Sequence, residues 1–312
     1  MLVLLLNMLV LAAEEPVEKQ VAVNEIHLRD PFVLPVPEEK KYYIFGTGFQ
    51  GLPDGPGFAT YWSSDLVTWH GPHAVFRRPE GFWGTRDYWA PEVHRYQGKY
   101  YMFASFCAKR AVRATQILVA DTPAGPYRLH SDGPVTPKDW FCLDGTLYLD
   151  PEGKPWIVFC HEWVQIHDGE ICAQRLSKDL RHAKGKPTTL FKASDAPWVG
   201  EMGFGTPKAG FITDGPFLFR AKDGALLMLW SSFGKDRRYK QAVARSASGK
   251  LEGPWTHPDK PIFEDDGGHG MIFQTFDGQT LLSLHQPNNN PKERPRFFTV
   301  EEDRGSLKLT PK

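Results

Sequence analysis

The sequence has no basic block or stripe, no excess of either charge, no CxxC pair and only one long apolar run. Each absence narrows the field. Lys+Arg and Asp+Glu both total 37, so the net charge is zero, which speaks against a nucleic-acid partner. The cysteines at 107, 142, 160 and 172 lack the spacing of a metal site. Cys142 and Cys160 flank one predicted hairpin, where an exported protein can form a disulfide, but buried thiols are the preferred reading. The apolar run, residues 2–13 (LVLLLNMLVLAA), falls short of the roughly 20 residues that span a bilayer. With Ala12-Ala13 and acidic residues behind it, it reads as an export signal over residues 1–18, although no Lys or Arg precedes it. The expected location is secreted or periplasmic, with residues 19–312 forming one unit. No apolar spacing of helical period survives over a useful window, so long helices are not expected.

What is present is a phrase that recurs five times. A polar or Gly-rich start leads into an apolar run, a charged turn and a second apolar run. The copies begin at Arg29 (RDPFVL), Ala90 (APEVHRY), Leu143 (LDGTLYL), Thr213 (TDGPFLF) and Gly267 (GGHGMIF). Their turns are Glu38-Glu39-Lys40, Gly98, Asp150-Pro151-Glu152-Gly153, Asp223-Gly224 and Asp277-Gly278, the dipeptides and clusters that close hairpins. A second element follows most copies, as SSDLVTWH from Ser63, ADTPAGPYRLH from Ala120, LSKDLRHAK from Leu176 and SASGKLEGPWTH from Ser246. It reads as an outer turn and a fourth strand. The predicted fold is therefore all-β: a five-bladed β-propeller of four-stranded antiparallel blades around a central channel. Segments 46–60, 75–89 and 185–212 read as long loops that rim the channel mouth.

In such a fold the innermost strands share one axis, so Asp30, Glu92, Asp144, Asp214 and His269 converge on one spot. A single Asp before Pro or Gly serves turns in most proteins. Three at what read as equivalent positions point to a carboxylate site, and paired carboxylates suit hydrolysis of a glycosidic bond.

The tags RDPFVL, WAPEV, LDG, TDGPFLFR and GGHGMIF, with LHQPNNNPKERPRF behind the last, resemble glycoside hydrolase family 43 from about residue 25 to about residue 300. The resemblance implies a five-bladed propeller and an inverting mechanism on terminal furanosides or xylosides: α-L-arabinofuranoside, β-D-xyloside or β-D-galactofuranoside. Its substrate partner would be an oligo- or polysaccharide, and nothing in the chain indicates more than a monomer. It implies that Asp30 is the general base and that Asp144 orients the acid and lifts its pKa. It requires no cofactor, but places His269 near the axis, often beside a hydrated structural calcium contacted through water. The chain departs from the family at the general acid, usually Glu in an EGP tag, where it has Asp214. Aspartate is shorter by one methylene, roughly 1.5 Å, and a displacement of about 1 Å can cost about 100-fold in rate. Glu201, in the loop WVGEMGFG, is the other carboxylate able to serve and stands slightly ahead of Asp214. Trp89 and Glu92 are expected to meet the sugar, and Arg294 or Arg296 to reach a substrate hydroxyl or carboxylate. The alternative, prompted by the missing glutamate, is a carbohydrate-binding propeller without catalysis.

Overall fold

Alternation of apolar and polar residues, punctuated by tight turns, builds antiparallel strands. In the computed structural model, which describes residues 19–48, 55–203, 209–303 and 306–312, those strands form five sheets. The first contains β1 (Gln20–Ala22), β2 (Arg29–Val36), β3 (Lys41–Thr47), β4 (Gly57–Ser63) and β5 (Thr68–Arg77). The second contains β6 (Arg86–Tyr96), β7 (Lys99–Ala108), β8 (Ala111–Ala120) and β9 (Arg128–Leu129). The third contains β10 (Cys142–Leu149), β11 (Pro155–His161), β12 (Glu170–Leu176) and β13 (Ala183–Lys192), with a short helix α1 (Trp163–Ile166) after β11. The fourth contains β14 (Asp214–Arg220), β15 (Leu226–Phe233), β16 (Tyr239–Ser246) and β17 (Trp255–Thr256). The fifth contains β18 (Gly268–Gln274), β19 (Thr280–Gln286), β20 (Arg294–Asp303) and β21 (Ser306–Pro311).

The five-bladed propeller is thus present, with two refinements. β1 adds a fifth strand to the outer edge of the first blade, pairing with β5. The last blade takes its four strands from the C-terminal stretch, and among the described residues no N-terminal strand joins it to close the ring. The segment read as a loop over 185–212 is shorter, because β13 carries pairing on to Lys192 across two register shifts. The proposed export signal lies outside the described residues. Among those described, no helix is long and apolar enough to cross a membrane.

Aromatic side chains form wedges between blades. Phe58, Phe76, Phe82 and Tyr88 pack between the first and second, all four meeting Phe106 edge to face, and Trp230 packs with Phe191 and Trp198 between the third and fourth. Each buries large area in a crevice that small residues would leave hollow. All four cysteines are buried free thiols. Cys142 lies opposite His161 and Cys160 opposite Leu143, so the two thiols stand one residue out of step and enter different core clusters.

A shared irregularity positions the site. In every inner strand the ladder slips near the start, between Arg29 and Phe32, Trp89 and Glu92, Leu143 and Thr146, Asp214 and Phe217, and Gly268 and Met271. The residue just after each slip begins adopts a left-handed backbone: Asp30 (φ 53°), Ala90 (42°), Asp144 (56°), Gly215 (55°) and His269 (53°). Bulges of this kind turn a side chain away from the sheet face and re-aim it, here toward the axis. At four of the five junctions the second strand of one blade then grips the next. Backbone N–H groups of Ala90, Asp144 and His269 donate to the hydroxyls of Thr47 (2.8 Å), Ser105 (2.9 Å) and Ser231 (2.7 Å), each one blade earlier. The Asp30 N–H donates to His285 Nδ1 at 3.2 Å, which closes the ring between the last blade and the first. Cys160 occupies the corresponding place in the third blade, opposite Leu143. There the Gly215 N–H donates to Asp144 Oδ2 instead, at 3.0 Å.

Candidate active site

Side chains at these slips open onto a cavity of ≈ 320 Å³ lined by Arg29, Asp30, Thr47, Trp89, Leu143, Asp144, Asp214, His269 and Asn290. Farther along the same inner strands, Phe32 and Phe217 meet at 6.3 Å between ring centroids and Phe32 meets His94 at 5.2 Å, and these three side chains line a second cavity.

His269 organises the cluster. Its Nδ1 lies 3.2 Å from Asp30 Oδ1 and 3.7 Å from Asp144 Oδ2, so both carboxylates address one nitrogen. Thr47 donates to Asp30 Oδ2 at 2.7 Å, and Arg29 Nε stands 3.9 Å from Asp30 Oδ1. Arg29 is held in turn by the fully buried Glu293, at 3.0 Å. The Tyr239 hydroxyl donates to Asp214 Oδ2 at 3.0 Å. Gly215 must lack a side chain, since a Cβ there would stand 2.8 Å from the His269 ring.

These surroundings drive the three carboxylates apart. Burial would raise Asp30, but His269, Arg29, His285 and the Thr47 hydroxyl outweigh it and hold the group at about 2. Burial raises Asp144, with Asp214 and Asp30 adding repulsion against the opposing pull of His269, and the group is pushed up to about 8. Burial likewise raises Asp214, against His269 and the Tyr239 hydroxyl. Near neutrality one carboxylate is therefore ionised while its two neighbours retain a proton between them. Environments that separate carboxyl groups this way make a base and an acid from like residues.

Asp30, Asp144, Asp214, Trp89 and His269 are thus brought together. Asp214 is not the positional equivalent of Asp30 and Asp144, because Gly215 takes that place and Asp214 precedes it by one residue. Glu92 sits two residues beyond its blade's left-handed position, buried, with Oε2 3.2 Å from His94 Nε2. Glu201 pairs with His167 Nε2 at 3.2 Å, with 49% of its side chain exposed, and does not line the cavity. Arg294 spends its N–H groups on the carbonyls of Asn24, Pro291 and Glu293, and Arg296 is exposed on β20, so neither reaches the cavity. Sequence reasoning passed over Thr47, Tyr239, His285 and Glu293. The last two lie in the LHQPNNNPKERPRF tag, and Thr47 stands near the end of the second strand of its repeat as Ser105 and Ser231 do, whereas Tyr239 carries no signal in the sequence.

His269 Nε2 is buried without a partner among the described residues. Calcium takes six to eight oxygen ligands. One imidazole nitrogen does not make such a site, and among the described residues no three His, Cys, Asp or Glu side chains form a metal cluster. The donors present do not fit a directly held ion; contact through water is the mode left to His269.

A cavity at a propeller axis, with one ionised carboxylate beside a buried pair that retains a proton between them, defines a hydrolase of the two-carboxylate kind. The family model for Glycosyl hydrolases family 43 matches residues 21–301, and the chain belongs to that family: it is a glycoside hydrolase. It is 26% identical over 262 residues to the extracellular endo-α-(1→5)-L-arabinanase 1 of Bacillus subtilis (strain 168), covering 79% of this chain and 72% of that protein. Among solved structures, an endo-arabinase from Bacteroides thetaiotaomicron VPI-5482 matches with a TM-score of 0.86 and 42% identity, over 92% of this chain and 98% of that one. An exo-1,5-α-L-arabinanase from a bovine ruminal metagenomic library matches with a TM-score of 0.68 and 25% identity, over 93% and 98%.

Proposed function

We propose that the chain is an exported, monomeric hydrolase of α-L-arabinofuranosidic linkages that inverts the anomeric centre. Asp30 acts as general base, Asp214 as general acid, and Asp144 keeps the acid protonated. The observation that carries the mechanism is the split of the carboxylates around His269. Asp30, held ionised, is ready to take a proton from a water on one face of the sugar. Asp214 shares its proton with a buried neighbour and offers it to the departing oxygen on the other face. Asp214 is preferred to Glu201 because it lines the same cavity as Asp30 and Asp144 while Glu201 is turned to solvent. Trp89 supplies an apolar wall for the sugar. The arabinan-active relatives support an arabinofuranoside over the xyloside and galactofuranoside that the sequence leaves open, and the extracellular B. subtilis protein supports export.

The test compares linear arabinan, nitrophenyl α-L-arabinofuranoside and nitrophenyl β-D-xyloside as substrates, following the product anomer by NMR and product length by chromatography. Asp30→Ala is expected to abolish turnover on all substrates. Asp214→Asn is expected to cost about 10²–10⁴ on arabinan and far less on the aryl glycoside, whose leaving group needs little protonation. Equal losses on both would remove Asp214 from the acid's role, and the selective loss appearing in Glu201→Gln would transfer it there. Turnover of the xyloside alone would refute the sugar assignment, and a retained anomer would refute inversion.

A further inference from the structure

Next to the carboxylates lies an ion cluster that no sequence tag marks. Arg113, on β8, has a side chain only 14% exposed. Its Nη2 lies 2.9 Å from Asp87 Oδ2, and its Nη1 donates to Glu162 Oε2. Its guanidinium carbon stands 4.2 Å from the centroid of the Trp89 ring. Asp87 and Trp89 belong to β6 in the second blade, whereas Glu162 follows β11 in the third, so the cluster bridges two blades beside the cavity that Trp89 lines.

We propose that Asp87, Arg113 and Glu162 are positioning residues that lock the Trp89 indole as the wall against which a sugar ring of the substrate rests; this deepens, and rests on, the glycosidase reading above. A guanidinium is flat and presents its N–H groups in a rigid fork. With carboxylates on two of its nitrogens and an indole on its face, Arg113 has no freedom to rotate, and neither has the ring stacked on it. The covered face of Trp89 is thereby assigned to the arginine, and its exposed surface is left to the cavity.

Three further features set the cluster apart from a plain stabilising network. Buried ion pairs contribute little net stability compared with apolar packing, so three charged side chains between blades are poorly explained by stability alone. Asp87 is also held in the left-handed region (φ 57°), where a non-glycine residue is strained, and such strain gathers at functional sites. In addition, Arg113 Nε and Glu162 Oε1 are buried with no partner among the described residues. That unused capacity can take a water carried in at the edge of the sugar.

The experiment measures binding in an Asp30→Ala background, by calorimetry and tryptophan fluorescence, with arabino- and xylo-oligosaccharides as probes. Steady-state kinetics are measured in the active protein. Arg113→Met is expected to weaken oligosaccharide binding and raise KM about tenfold, from loss of the stacked cation and ring order, with kcat nearly unchanged. The fluorescence change on sugar addition should shrink. Arg113→Lys, which keeps the charge without the fork, should recover part of the loss. Glu162→Gln, which keeps the shape and can still accept from Arg113, should produce a smaller rise in KM and serves should Arg113→Met fold poorly. Unchanged KM in both Arg113→Met and Glu162→Gln, or a fall in kcat alone, would overturn the proposal. Parent binding of arabino-oligosaccharide with no loss in the variants would sink the Trp89 proposal while leaving the substrate assignment standing. Binding of xylo-oligosaccharide only, with the same losses, would do the reverse. Failure of the parent to bind either sugar would overturn both.

Discussion

Replacing Asp144 by asparagine exchanges a proton-dependent group for a neutral one of nearly the same shape. In the folded chain Asp144 is pushed from 3.8 to about 8, chiefly by burial. Between those values the native state holds a proton that the unfolded chain releases. Stability therefore falls as pH rises through that window, and below about pH 4, where both states are protonated, the group contributes no difference. At about 1.4 kcal/mol per unit, the penalty at pH 7 reaches about 4 kcal/mol if Asp144 bears the proton alone. Asp214 holds part of it, so Asp144→Asn is expected to stabilise the fold by about 2–4 kcal/mol at pH 7, or about 4–8 °C in Tm for a chain of this length. The gain should vanish near pH 4. The lowered pKa values of Asp30 and His285 act in the opposite sense, between about 2 and 3.8 and between about 3 and 6.5, but parent and variant share both, so the comparison isolates Asp144. The Gly215 N–H can still donate to the amide oxygen, so the link between blades survives. Arabinan turnover should meanwhile fall at least about 100-fold, since the neighbouring acid loses the group that keeps it protonated. Thermal and urea unfolding at pH 4.5 and 7.5 would measure the slope. A variant no more stable than the parent at pH 7.5, or with the same dependence on pH, would refute the argument.

Other perturbations follow from the same geometry. In the parent, the alkaline limb of the pH–rate profile should reflect loss of the proton that Asp144 and Asp214 retain, while Asp30 stays ionised across the measurable range. Tyr239→Phe removes a donor that favours ionised Asp214, so the alkaline limb should move to higher pH, with kcat reduced roughly tenfold. His285→Ala deprives the Asp30 N–H of its acceptor at the junction between the last and first blades. It should cost about 2–4 kcal/mol in urea unfolding. Thiol titration of the unfolded chain should count four free cysteines without reductant, and reductant should leave Tm unchanged; two thiols, or a reductant-sensitive Tm, would contradict the packing of Cys142 and Cys160 on different faces.

Asp30, Asp144 and His269 were legible because each opens an apolar run at the same point of a recurring phrase. Asp214 was legible as a member of the site but not in its position. Its tag looks like the other two, and only the ladder slip reveals that Gly215 takes the left-handed place. The choice between Asp214 and Glu201 could not be read from spacing, because the direction a loop takes over a channel depends on what it packs against. Arg294 shows the same limit: it follows the fifth hairpin as expected, yet its donors go to backbone carbonyls at the seam with the N-terminal segment.

The chain by itself determined the repeat, the blade count and which acidic groups head the inner strands, because alternation and turn chemistry are local and a repeated local unit dictates a ring. Tertiary structure alone decided the ionisation of those groups and the company they keep. Against burial, Asp30 is held low chiefly by His269 from the fifth blade, with Arg29, His285 and Thr47 adding to it, whereas Asp144 is raised by burial and by Asp214 and Asp30 from two other blades. Arg113 likewise joins Glu162 only across a blade boundary. Electrostatic free energy depends on distance through space and exclusion of water, and neither quantity is encoded by separation along the chain.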